Sequence, residues 1–214
     1  MKRILLSAAF LLGLPLAAQA QCVGVAGINT VPVPGIVCNQ DSIVSTYAAT
    51  GIGIVPAATP TDIAWLTGSA TRTIRVKRIR VGGTAGTAIN IVATLMKRAS
   101  ADTGGTAGTT TAVPVPYPLD STYTAATATA ISYTANPTIV DSTPGVLDAE
   151  TIFLPATGTA SASRPALYDL GLNLATSPVV LRGIAQQLCV NLGGVTTPSS
   201  GLMTVSFTWT EQTQ

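Results

Sequence analysis

The densest charge in the chain is the run Arg72, Arg75, Lys77, Arg78 and Arg80. Cations at this spacing could contact phosphates, because a two-stranded β-ribbon can enter a nucleic-acid major groove. They alternate, however, with Ile74, Val76, Ile79 and Val81, and no aromatic residue is interleaved for base stacking. The pattern is that of a half-buried strand whose polar face pairs with neighbouring carboxylates, or an edge kept from aggregating by charge. No nucleic-acid partner is expected. Asp148 and Glu150 form the closest acidic pair. Their spacing puts both on one face of a strand, open either to weak oxygen ligation of calcium or to plain solvation in a turn. Glycoside hydrolysis also needs two carboxylates, but Glu150 and Glu211 are the only glutamates and neither has an aromatic platform nearby in sequence. The chain has no histidine, which removes histidine-based triads, histidine–metal sites and histidine pH switches together. Signatures of a phosphate-binding loop or a nucleophile elbow are missing from the sequence as well. The expectation is a non-enzyme with no catalytic residue, cofactor or metal ligand.

Three cysteines remain. Lys2 and Arg3 open the chain, an apolar run follows from Ile4 to Ala17, and Ala18-Gln19-Ala20 has the small-x-small form read at a signal-peptide cleavage site. The run is shorter than the roughly 20 residues a membrane span needs. Residues 1–20 are therefore expected to be an export signal, with the mature chain starting at Gln21 and carrying no transmembrane segment. Export leads to an oxidising compartment, where Cys22 and Cys38 are the expected disulfide. Cys189 sits in the apolar stretch Leu188-Cys189-Val190 and is expected to be a buried free thiol that behaves as a small hydrophobe.

The elements that would position these groups are strands. Residues 21–61 are rich in Gly, Pro and Val, with Val31-Pro32-Val33-Pro34, Pro56 and Pro60 opposing regular structure, and read as an irregular arm or cap. From Asp62 the period is two. Ile63 to Leu66, Thr73 to Val81, Ile89 to Leu95, Ala128 to Tyr133, Thr151 to Leu154, Val179 to Arg182, Leu188 to Leu192 and Leu202 to Glu211 are the strand candidates. The phase slips between Lys77 and Arg78, which predicts a β-bulge there. Trp65 and Trp209 read as core or interface anchors on strands. The hexapeptide Gly82–Thr87 recurs as Gly104–Thr109, but two copies do not make a solenoid. Short strands joined by Gly/Pro-rich connections predict an all-β antiparallel β-sandwich, jelly-roll-like, over residues 62–214.

Composition sharpens the functional reading. Only 9% of the 214 residues are charged and 47% are hydrophobic, against about 25% charged in ordinary domains. The formal charge of +2 belongs to Lys2 and Arg3, so the chain from Gln21 onward is neutral. Neutral, weakly charged surfaces tend to associate, which predicts coverage by copies of the chain or by a larger assembly.

Several phrases between about Asp62 and Glu211 carry a likeness: Gly68-Ser69-Ala70-Thr71 before the basic strand Ile74 to Ile79, Lys97-Arg98-Ala99-Ser100, Tyr133-Thr134-Ala135-Asn136-Pro137, Val180-Leu181-Arg182-Gly183, Cys189-Val190-Asn191-Leu192 and Thr208-Trp209-Thr210-Glu211. This stretch resembles small β-rich virion structural, capsid-associated proteins of tailed bacteriophages and prophages. The resemblance implies a non-enzymatic β-sandwich that assembles, with a virion as its place. The export signal departs from that pattern and implies a periplasmic, secreted or cell-surface location, with an exported binding module as the other reading.

Overall fold

The computed structural model describes residues 44–141, 144–171, 178–197 and 201–213. The expected signal segment and the Cys22–Cys38 bridge lie outside the described residues. The elements in chain order are β1 (Ser45–Ile54), β2 (Asp62–Thr67), β3 (Arg72–Thr84), β4 (Ile89–Arg98), β5 (Thr106–Ala107), β6 (Tyr117–Pro118), β7 (Ala130–Ala135), β8 (Gly145–Leu154), β9 (Ala166–Asp169), β10 (Val179–Leu181), β11 (Gln187–Asn191) and β12 (Leu202–Thr213). A short 3-10 turn spans Thr110–Ala112. Among the described residues no helix is long and apolar enough to cross a membrane.

The strands form two six-stranded antiparallel sheets. The first runs β10-β3-β12-β1-β6, with β9 also paired to β3, and the second runs β5-β7-β2-β11-β4-β8. Pairing is nested along the chain: β1 with β12, β2 with β11, β3 with β9 and β10, and β4 with β8. Alternation explains why the two sheets form a sandwich. Met203, Val205, Phe207 and Trp209 on β12 and Ile74, Val76, Ile79 and Val81 on β3 meet Leu66, Ile91, Leu95, Leu188 and Val190 of the second sheet in one buried cluster. Trp209 is fully buried and stacks on Tyr47 of β1, ring centroids 5.8 Å apart.

The bulge on β3 falls where the phase slips: Thr208 faces Arg78, Trp209 faces Val76, and Lys77 is the extra residue. Two findings differ from the sequence reading. The sandwich begins at β1, inside the segment expected to be an arm or cap, because Tyr47, Ala49 and Ile54 face the core among small residues that hide the alternation. The second is the place of β3, which lies between β12 and the pair β9/β10, so its cations do not protect an edge.

One of the close backbone crossings is made at a glycine after β2. Gly68 follows β2, donates its N–H to Gln186 O at 2.8 Å, and has Gly183 O where a Cβ would sit.

Candidate functional site

The basic strand does not converge on a site. Arg75, Arg78 and Arg80 lie on the outer face of the first sheet, opposite in phase to the core-facing Ile74, Val76, Ile79 and Val81. The Nε of Arg75 donates to Gln212 Oε1 at 2.8 Å, and Arg78 lies opposite Asp169 of β9. Arg72 and Lys77 are half-buried and engaged with neighbours. Asp148 and Glu150 do share a face of β8, opposite Leu95 and Ala93 of β4. They take separate partners. Asp148 Oδ1 accepts from Ala149 N at 2.8 Å, and Glu150 Oε2 accepts from Leu167 N at 3.3 Å.

The chemistry-bearing groups that the fold does bring together lie on the outer face of the second sheet. Register places Trp65 of β2, Cys189 of β11 and Met96 of β4 side by side, and Gln187 of β11 opposite Arg98 of β4. The connections after β4 and after β7 close over this face. They are joined by paired bonds between Thr103 and Thr138, 3.1 and 2.7 Å long. Asn136 anchors the second connection, accepting from Thr61 N at 3.0 Å and donating to Thr59 O at 2.9 Å. Under this double strap Trp65, Tyr133 and Cys189 form a second small core, with Trp65 Nε1 donating to Tyr133 Oη at 2.7 Å.

At one end of that core is a buried charged cluster. Arg98 directs its guanidinium fork at Asp62, with Nε to Oδ2 at 2.8 Å and Nη2 to Oδ1 at 3.0 Å. Asn191 Nδ2 also donates to Asp62 Oδ1, and Arg98 Nη1 reaches Asp141 O at 3.3 Å. Asp102, four residues beyond Arg98, stands 3.5 Å from its Nε, while its own N–H donates to Gln187 Oε1 at 3.0 Å. The side chains of Arg98, Asp62 and Asp102 are shut off from solvent, and neither carboxylate oxygen of Asp102 has a hydrogen-bond partner.

The electrostatics follow from that imbalance of two carboxylates to one guanidinium. Burial raises the Asp102 carboxyl to about 7, helped by its neighbour Asp62, with Arg98 and the Val140 backbone pulling weakly the other way. Burial works against the charge on Arg98, but Asp62 and then Cys189 and Asp102 outweigh it, so the guanidinium is held charged more firmly than in water. Burial, then Asp62 and Asp102, pushes the Cys189 thiol well above its ordinary range. A thiol kept protonated in this way is a poor nucleophile. Ligand atoms of Asp62, Asp102 and Cys189 lie within 4.8 Å of one another, but Arg98 Nε already stands 2.8 Å from Asp62 and 3.5 Å from Asp102, so a metal cation there would meet its fixed charge. The cluster can hold an ion pair and a proton.

Sequence reasoning passes over Asp62, Arg98 and Asp102. The one local signal is the i, i+4 spacing of Arg98 and Asp102; Asp62 joins them through strand order, with β11 between β2 and β4.

A second feature lies on the first sheet. From Val113 to Leu119 the sequence alternates apolar residues with Pro114, Pro116 and Pro118. Leu119 donates its N–H to Thr46 O of β1 at 2.9 Å. Leu119 and, by alternation, Tyr117 thus turn their N–H groups toward β1, and Pro118 occupies the position whose N–H would face the open edge, whereas Val115 N–H bonds locally to Val113 O at 3.0 Å. Val115, Tyr117 and Leu119 are 66%, 70% and 62% exposed, an apolar row at this edge.

No family model, curated protein or solved structure matches the chain.

Proposed function

We propose that this chain is a non-enzymatic structural protein that associates with copies of itself or with a larger particle, in the manner of the phage virion components it resembles. The observation that carries the reading is the exposed row Val115, Tyr117 and Leu119 on a sheet edge, in a stretch from Thr103 to Leu119 that holds no charged residue. Three large apolar side chains spaced two apart are a contact surface in search of cover. The buried cluster is in keeping with this, since Arg98 and Asp62 are spent on each other and closed off from solvent. Nested pairing of the strands supports the finer reading of a jelly roll, an architecture used by capsid domains. The same proposal includes export by residues 1–20 and a Cys22–Cys38 disulfide, both of which intact mass would test.

Light scattering across a concentration series, with electron microscopy, tests the assembly. Wild type is expected to associate, and the triple change Val115→Ser, Tyr117→Ser and Leu119→Ser to lower the associated fraction at least several-fold. A wild-type chain that stays monodisperse at high concentration overturns the proposal and favours the exported binding module.

A further inference from the structure

We propose that Asp62, Arg98 and Asp102 form a proton-operated clasp, in which the strap after β4 stays shut while Asp102 carries a proton donated to Asp62, and loosens when that proton leaves, uncovering Trp65, Tyr133 and Cys189. The geometry supplies the asymmetry. Arg98 gives its fork to Asp62 and only a 3.5 Å approach to Asp102. An ionised Asp102 is therefore a second buried carboxylate with no well-formed hydrogen bond, only the looser approaches of Arg98 Nε and the Val140 backbone, which is costly in a site closed to water. A protonated Asp102 becomes the donor itself, and the cluster then balances as one cation, one anion and one neutral acid.

The groups facing Asp102 come from every element packed against it. They are Asp62 on β2, Arg98 on β4, Cys189 with the neutral Gln187 on β11, Tyr133 on β7, and Asp141 with the Val140 backbone on the connection after β7. Burial first, against the bond from Trp65, keeps Tyr133 above its ordinary range, and Cys189 is likewise held up. Both stay neutral while Asp102 titrates, so the clasp has one moving proton.

The strap depends directly on this residue. Asp102 N–H holds Gln187, the next residue makes the paired bonds to Thr138, and Ala99 N donates to Asp141 Oδ2 at 2.7 Å. With the strap open, Asp102 is hydrated and returns toward the ordinary carboxyl value of 3.8, whereas closed it titrates near 7. The closed state binds the extra proton between those values. The ratio of open to closed therefore rises by up to about tenfold per pH unit from pH 4 to 7 and is flat above.

Hydrogen exchange of the full chain from pH 4.5 to 8, corrected for intrinsic rates, tests the clasp. Protection of the Asp102, Thr103 and Thr138 amides is expected to fall by about tenfold per pH unit up to pH 7 and then level off. The β12 amides are expected to keep theirs. In Asp102→Asn the side chain keeps a donor toward Asp62 but cannot ionise, and protection at the strap should not vary with pH. A wild-type strap whose protection is independent of pH overturns the proposal. So does a slope that persists in D102N, or one shared equally by β12. Acrylamide quenching of Trp65 in a Trp209→Phe background gives a second reading of wild type if the D102N chain does not fold: quenching should increase over the same window, and a flat response counts against the clasp.

Discussion

Arg98 holds two connections as well as two carboxylates, through Asp62, Asp102 and Asp141 O. Removing one partner of a buried ion pair leaves the other charge uncompensated, so Arg98→Ala is expected to cost about 3–5 kcal/mol, measured by urea unfolding. Arg98→Met with Asp62→Asn should recover part of that loss, because neither charge of the pair is then left buried without its partner. Glu211 is a different kind of buried carboxylate. It accepts from Thr127 N and Ala128 N at 3.0 Å, from Thr127 Oγ1 at 2.7 Å and from Trp209 Nε1 at 3.0 Å. Its acceptors are matched, in contrast to those of Asp102. Glu211→Ala would strand several donors beside the core and is expected to lower stability by about 3 kcal/mol, with Glu211→Gln recovering part.

At the level of elements, strands were legible where one face is apolar and the other polar. The faces of β3 and β12 could be read by eye, bulge included, because Ile, Val, Phe and Trp alternate with Arg and Thr. The strand β1 was not, since its inward residues include Ala49 and Gly51, which carry no hydropathy contrast. Only the last four residues of β8 were legible. Its first half reverses the usual rule, with Asp148 and Glu150 on the core-facing phase at the sheet edge and Val146 and Leu147 exposed. The buried cluster could not be read because its members come from β2, from the end of β4 and from the loop beyond, and sheet order is not a local property. Gly68 offers a test at this scale. A methyl group there would collide with the Gly183 carbonyl, so Gly68→Ala should force the end of β2 away from the β10–β11 turn. The expected loss is about 1–3 kcal/mol, with exchange increasing at the Gly68 and Gly183 amides.

For the molecule as a whole, the clasp predicts a sign in the pH dependence of stability. The folded chain keeps a proton on Asp102 that the unfolded chain has lost, so this group's contribution is fully present below about pH 4 and gone by about pH 7. The unfolding free energy of wild type minus that of D102N should therefore fall over this interval and level off above it, as read by denaturant melts at several pH values. The proline-lined edge of the first sheet has a further consequence. Backbone hydrogen bonds are what let sheets join end to end into an open-ended ribbon, and this side lacks the donors to begin such a join. Copies meeting there can touch only through side chains, which can be satisfied and then stop. For the assembly proposed above, such an edge is adhesive and yet unable to template an open-ended sheet.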